Sequence, residues 1–455
     1  MAKAKTRRQK AIIRRRIFLS ACAVLLIGII ALLSFVIHSI VSPDKETDKN
    51  GPTKTESTVS EESVPEIKDS FATVLSTGDI MVHSTQLDGA YVKATGDYDF
   101  SAFFKECSPY FKNYDLSVAN LEVTFGGTES GKFSGYPAFN TPDSLADAIK
   151  TSGLNFLLTA NNHSYDTGLF GLRRTAQILK QKGIEFIGTR ETESEPIYTV
   201  KEINGIKIGM ANYTYESAPE NAISGRKYLN GSIISAEANN LVSSFSYSDI
   251  NAFYTDAENT IKSMKTEGAE FIVFYMHWGN EYKTNANSWQ KTIAQNLSNL
   301  GVDIIIGSHP HVIQPIELIH SEDGQNQTIC LYSTGNAVSN QRQEIMNPEC
   351  PTGHTEDGLF FTYTLKKSTD GVTLTDIDII PTWVNKYRGG GGYQYTIYPL
   401  EKEDDGSSKY GLDSAAVNKS KKSYQRTKEI IAEGLTACQQ AIGCEITFQN
   451  EQATN

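Results

Sequence analysis

Residues 307–315 read GSHPHVIQP and place His309 and His311 on either side of Pro310, in a chain that has eight histidines in all. Imidazole nitrogens act as metal ligands or as proton-transfer groups near neutral pH. The same pattern recurs wherever an apolar run ends. VLSTGDIMVH brings Asp79 and His83, SVANLE brings Asn120 and Glu122, LLTANNHSYD brings Asn161, Asn162, His163 and Asp166, and FYMHWGNE brings His277 and Glu281. Imidazole and carboxylate together, without thiols beside them, suit a divalent ion such as Mn, Fe or Zn.

Each residue has a plain structural use when taken alone. His277 in an aromatic run would be a core histidine with its hydrogen bonds satisfied, Asp79 after a glycine a turn residue, and Asn161 and Asn162 ordinary capping groups. A structural account must then explain the same coincidence after five separate runs. One metal site explains it once.

The elements that must position these groups follow from periodicity. Short apolar runs at 72–77, 115–121, 154–160, 207–213, 270–276, 302–307 and 328–334 read as strands. DSLADAIKTSG at 143–153 and GLFGLRRTAQILKQKG at 168–183 read as helices, each closed by a glycine. Strands separated by single helices imply a layered α/β domain, sheets flanked by helices, over 70–385. In such folds ligands bind beyond the carboxyl ends of parallel strands. If the runs are parallel neighbours, their terminal side chains meet in one crevice. Residues 214–255 are polar and irregular and read as an insertion or a loop over the site. KYRGGGGYQYTIYPLEKEDDGSSKYG at 386–411 reads as a surface segment opening a C-terminal extension, 386–455, with a short helix at 426–441.

The chain starts with a basic arm, residues 1–16, carrying eight Lys and Arg, followed by the uncharged stretch IFLSACAVLLIGIIALLSFVIHSIV at 17–41. That stretch is long enough to span a bilayer as a helix and has no small-residue cleavage pattern, so it reads as an uncleaved signal-anchor. LSAC at 19–22 has the look of a lipobox, but its apolar run lies after the cysteine instead of before it. The arm stays cytoplasmic by the positive-inside rule, and the main domain is expected outside a cell membrane that the chain crosses once. Residues 42–69, polar and rich in Ser, Thr, Glu and Lys, read as a flexible linker.

Charge narrows the function. The whole chain carries −11, so the residues beyond the basic arm carry about −19. Nucleic acid is excluded as a partner, because its recognition rests on neutralising phosphates. Of six cysteines, Cys22 lies in the anchor, and Cys107, Cys330, Cys350, Cys438 and Cys444 form no thiolate zinc pattern. Cys438 and Cys444, in an oxidising compartment, are the expected disulfide, on condition that a turn near Gly443 folds the segment back.

GDIM (78–81), ANLE (119–122), ANNHSYDTG (160–168), HWGNE (277–281), GSHPHV (307–312) and STGN (333–336) together resemble the CapA-type capsule and poly-γ-glutamate synthesis proteins, whose domain is related to calcineurin-like metallophosphoesterases. The resemblance spans most of 71–385. It implies a first-metal ligand at Asp79, a bridging carboxylate at Glu122, second-metal ligands at Asn162, His277 and His309, and His311 on the first metal. It places His163 as general acid or transition-state donor, with Asp166 beside it as the other catalytic candidate. The chain departs from the phosphoesterase pattern at two points: His83 lies four residues after Asp79 where Asp-x-His is usual, and Asn120-Leu121-Glu122 replaces a bridging aspartate. One or two ions are therefore expected.

Two functions are compatible with these residues. One is a metal-dependent hydrolase or transferase acting on an envelope polymer or its phosphorylated precursor. The other is a non-catalytic accessory subunit that helps integral-membrane synthase subunits make or export an anionic capsule polymer. Metal-dependent turnover separates them.

Overall fold

The computed structural model describes residues 69–448 except 220, 221, 224, 347 and 390. The basic arm, the apolar run and all but the last residue of the linker lie outside the described residues. Among the described residues no helix is long and apolar enough to cross a membrane.

The chain first lays down four parallel strands, β1 (Ser70–Ile80), β2 (Leu116–Leu121), β3 (Phe156–Leu158) and β4 (Glu185–Ile187). It then builds a second sheet from β5 (Tyr198–Ile203), β6 (Ile206–Tyr215), β7 (Ser244–Phe245), β8 (Phe271–His277), β9 (Ile304–Ser308), β10 (Ile313–His320) and β11 (Gln327–Thr334). Finally it returns to the first sheet with β12 (Asn336–Val338), β13 (Asp357–Ser368), β14 (Gly371–Gly389) and β15 (Gly392–Pro399). The first sheet runs β15-β14-β13-β1-β2-β3-β4 with β12 paired to β1, and the second runs β7-β6-β8-β9-β11-β10 with β5 on β6.

The seven runs read from the sequence are strands, but they are divided between two sheets and are not all neighbours in one. The division follows from burial on both faces of each strand. In β1, Val74 packs between the sheets and Leu75 on the outer face, and β8 alternates likewise through Val273 and Phe274. A period-2 pattern with apolar residues on both sides demands a layer above and a layer below. The inner faces meet in one core, where Val118, Phe156, Met210, Tyr275 and Ile306 interdigitate, and Ser76 Oγ meets Tyr275 Oη across it at 3.5 Å. Sheets packed this way lie roughly 10 Å apart.

Helices cover the outer faces. α1 (Ser84–Ala90), α2 (Ser144–Ser152) and α3 (Gly168–Lys182) pack on the first sheet; α4 (Ile250–Thr266) and α5 (Ser288–Asn299) pack on the second. α2 and α3 end at Gly153 (φ 100°) and Gly183 (φ 62°), the left-handed caps that the sequence marks.

The C-terminal part differs from the sequence expectation. The segment at 386–411 includes the end of β14 and all of β15, so a strand crosses position 385. The helix expected at 426–441 is α6, Ser414–Ile442, twenty-nine residues long. Its N-terminus is capped by Asp413, whose side chain accepts from the backbone N–H of Ala415 and Ala416. α6 puts Ile431, Leu435 and Cys438 into the core between the sheets. Gly434 permits this, because a Cβ there would stand 1.8 Å from the Ile316 carbonyl oxygen of β10. Arg426 clamps the helix to β13 through two 2.6 Å bonds to Asp357.

The expected Cys438–Cys444 disulfide is not formed; all five described cysteines are free. Cys438 is turned into the core and the helix holds its form through Ile442. A rise of about 1.5 Å per residue then carries Cys444 away from it.

Candidate metal centre

Every expected donor sits at or just past the carboxyl end of a parallel strand, and the two sheets present those ends to each other. Asp79 ends β1, Asn120 and Glu122 end β2, Asn161, Asn162 and His163 follow β3, His277 ends β8, and His309 and His311 follow β9. All nine side chains are buried. Gly78 lets β1 reach this point, since a Cβ there would be 1.8 Å from the Gly335 carbonyl oxygen.

His309 and His311 take positive φ values of 94° and 57° on either side of Pro310. Non-glycine residues held in this region cost about 1–3 kcal/mol each and persist only where the surroundings fix them. Here the strain turns both imidazoles into the same centre, their rings 5.8 Å apart, with His277 4.8 Å from His309.

Asp79 Oδ1 accepts from Asn120 Nδ2 at 2.8 Å, and Asp79 Oδ2 faces His311 Nδ1 at 3.1 Å. Glu122 Oε1 stands between two histidines, 3.6 Å from His277 Nε2 and 3.8 Å from His311 Nε2. Asn162 Oδ1 lies 2.7 Å from His277 Nε2. Two groups of three could hold an ion: Asp79, Glu122 and His277, and Glu122, His309 and His311, each with donor atoms within 4.8 Å of one another. Glu122 belongs to both. Its Oε1 and the Nδ1 of His309 are buried without any hydrogen-bond partner. Unpaired buried polar atoms are costly, and a cation is the partner that both would accept.

The electrostatics describe the same need. Burial, and after it the neighbouring histidines, push His277 and His309 well below the ordinary imidazole range, so both are neutral with a lone pair to give. Burial, followed by the charge of Asp79, pushes Glu122 well above the carboxylate range. Burial also pulls His311 down, but Asp79 outweighs it and the net shift is upward. A divalent ion would be the largest charge in the site and would favour the ionised carboxylate.

His163 is beside this cluster and not inside it. Its Nδ1 pairs with Asp166 Oδ2 at 2.7 Å, and Asp166 Oδ2 also accepts from the Phe139 N–H at 2.7 Å. The Phe139 ring packs edge-on against the His163 ring at 4.8 Å. Asn230, from the segment read as a loop over the site, reaches His163 Nδ1 at 3.5 Å.

His83 stays out of both donor groups. Burial, then the charges of His311 and His163, lower it to about 3, and its Nε2 meets Ser339 Oγ at 3.2 Å. Glu281 is exposed on the loop after β8. Two residues without an assigned role turn out to be hubs. Asn120 Nδ2 contacts Asp79, Glu122 and, at 3.4 Å, His277. Asn336 Oδ1 lies 3.2 Å from His311 Nδ1, while its Nδ2 donates to Gln341 and to the Thr355 carbonyl. Both stood in the ANLE and STGN blocks, which was the signal available.

Residues 73–341 match the family model described as bacterial capsule synthesis protein PGA_cap. The chain belongs to that family. A PGA biosynthesis protein CapA from Bacillus subtilis (strain 168) is 26% identical over 323 residues, covering 69% of this chain and 74% of the relative. A capsule biosynthesis protein CapA from Bacillus anthracis is 27% identical over 274 residues, covering 59% of this chain and 60% of the relative. Among solved structures, the calcineurin-like phosphoesterase YfkN from Bacillus subtilis aligns with 80% of this chain and 99% of its own, at 14% identity and a TM-score of 0.34.

Proposed function

We propose that this PGA_cap protein is a membrane-anchored, extracytoplasmic component of capsule or poly-γ-glutamate assembly, whose domain is a divalent-metal-dependent hydrolase acting on an envelope polymer or its phosphorylated precursor. The observation that carries this reading is the buried convergence of imidazole, carboxylate and amide groups in which Glu122 Oε1 and His309 Nδ1 have no hydrogen-bond partner. Asp79, Glu122, Asn162, His277, His309 and His311 are the residues that would hold one or two ions, Mn, Fe or Zn. An ion bound there supplies Lewis-acid activation of an ester or amide.

The remaining chemistry belongs to the chain. Asp166 pairs with His163 at Nδ1, so Nε2 is the atom left to exchange a proton with a leaving group. The edge-on Phe139 ring and the Asn230 amide hold the imidazole in place. Anchoring by residues 17–41 and work beside integral-membrane synthase subunits on an anionic polymer belong to the same proposal.

The test is turnover by the purified protein on panels of phosphomonoesters, phosphodiesters and γ-glutamyl amides, with and without added Mn, Fe or Zn. We expect metal-dependent release of product, and His163→Ala should retain the metal while losing turnover by about 10²–10⁴-fold, the usual worth of a general acid. Metal uptake without turnover on any class would favour the non-catalytic accessory role.

A further inference from the structure

Outside the donor cluster, one pair of cations stands out in this acidic protein. Lys386 and Arg388 lie two residues apart on β14 and so point to the same face. Both sit over the Tyr393 ring of β15, with Lys386 Nζ 4.5 Å and Arg388 Cζ 4.8 Å from its centre. Lys386 also reaches Tyr395, at 5.8 Å. Neither cation forms an ion pair among the described residues, whereas Lys409 and Arg426 pair with Glu401 and Asp357. Free surface cations ordinarily keep their rotamer freedom. These two are fixed by an aromatic rung and left unneutralised.

Their place ties them to the candidate metal centre. Lys386 Nζ donates to Asn340 Oδ1 at 3.1 Å, and the adjacent Ser339 Oγ meets His83 Nε2 at 3.2 Å. His83 packs edge-on against Phe139, at 5.3 Å, and Phe139 against His163. Tyr395 Oη bonds both Asn340 and Thr85 at the start of α1. Gly135, with no room for a Cβ beside His83 and Ser84, holds its backbone against that histidine. The hairpin of β14 and β15 lies beyond residues 73–341, the span matched by the family model.

We propose that Lys386 and Arg388 form a subsite for an oxyanion, a carboxylate or a phosphodiester, carried on a polymer whose reacting bond lies at the candidate metal centre. This rests on the hydrolase reading above and adds where the chain of the substrate is gripped. Two preorganised cations bind such groups without first losing their own freedom, and they offer a local attraction that the acidic body as a whole does not.

The experiment is fluorescence anisotropy of the purified protein with labelled γ-linked glutamate oligomers, glycerol-phosphate oligomers and neutral dextran. We expect binding to one of the two anionic oligomers and none to dextran; the oligomer bound identifies the oxyanion. Lys386→Ala/Arg388→Ala should bind about tenfold more weakly and with less salt dependence, with metal content unchanged. Arg388→Glu, an exposed single change, should weaken binding in the same direction and guards against a folding defect in the double variant. Binding of neither anionic oligomer by the wild type, or equal binding by the variants, would overturn the subsite. Charge-dependent binding that persists in a protein without metal or turnover would sink the hydrolase reading and leave the subsite standing.

Discussion

Replacing Glu122 by Gln is the sharpest perturbation of the proposed metal centre, because Glu122 alone belongs to both donor groups. Gln keeps the volume and an acceptor for Asn120 Nδ2, which lies 3.2 Å from Glu122 Oε2. It removes the charge and the second oxygen. Losing an outer partner of a metal ligand typically costs about 10–100-fold in affinity, so losing a shared donor should cost at least about 100-fold. At a metal concentration of about 100 times the wild-type dissociation constant, the wild type gains about 2.7 kcal/mol of stability. With unfolding entropy of about 2.1 cal/mol/K for each of roughly 380 described residues, that is a rise in Tm of roughly 3 °C. The variant should show almost none of it. In chelator the order should equalise or reverse, since the variant no longer buries a carboxylate oxygen without a partner. Differential scanning fluorimetry with elemental analysis reads both. A Gln variant that binds metal and shifts like the wild type, or that is much less stable than wild type in chelator, would refute the reasoning.

Three further outcomes are expected. Arg426→Ala should destabilise by about 3–5 kcal/mol, because it strands the buried carboxylate of Asp357; adding Asp357→Asn should restore most of the loss in urea melts, and no recovery would mean that Arg426 matters through packing. Burial pushes Asp303 up to about 6 from 3.8, although the Ile272 N–H bonds it. Its folded-state pKa is raised, so stability should fall as pH rises from about 4 through about 6, by about 3 kcal/mol; Asp303→Asn should flatten that interval, and parallel profiles for the two proteins would reject the assignment. Protease added to intact cells should remove the main domain and spare the basic arm, and protection of the domain would defeat the extracytoplasmic topology.

The convergence of the candidate-site residues was legible because chemistry-bearing side chains concentrate where apolar runs stop, and a strand end is where a side chain can leave the core without leaving the protein. The partition of those runs between two sheets was not legible. β1, β2, β8 and β9 are all buried on both faces, so their patterns do not record which strand pairs with which. β14 was missed for the opposite reason. Polar positions such as Thr373, Thr375 and Asp376 dilute its apolar signal, and the Gly-rich stretch beyond Arg388 reads as a loop. α6 was shortened because its first turns, SAAVNKSKKS, are mostly polar, and of the three residues they bury, Ala416, Ser420 and Ser423, two are serines. Asn120 and Asn336 are short amides that a sequence cannot tell from caps; only their several simultaneous contacts distinguish them. The positive φ values of His309 and His311 have no sequence signature beyond the proline between them.

The central claim is that these donors bind metal as one unit, and the most direct measurement is an anomalous difference map from crystals soaked with Mn²⁺. The account predicts one or two peaks inside the ring of Asp79, Glu122, Asn162, His277, His309 and His311, with Glu122 touching each peak. A well-ordered ring with no peak, or a peak bound elsewhere on the protein, would contradict it.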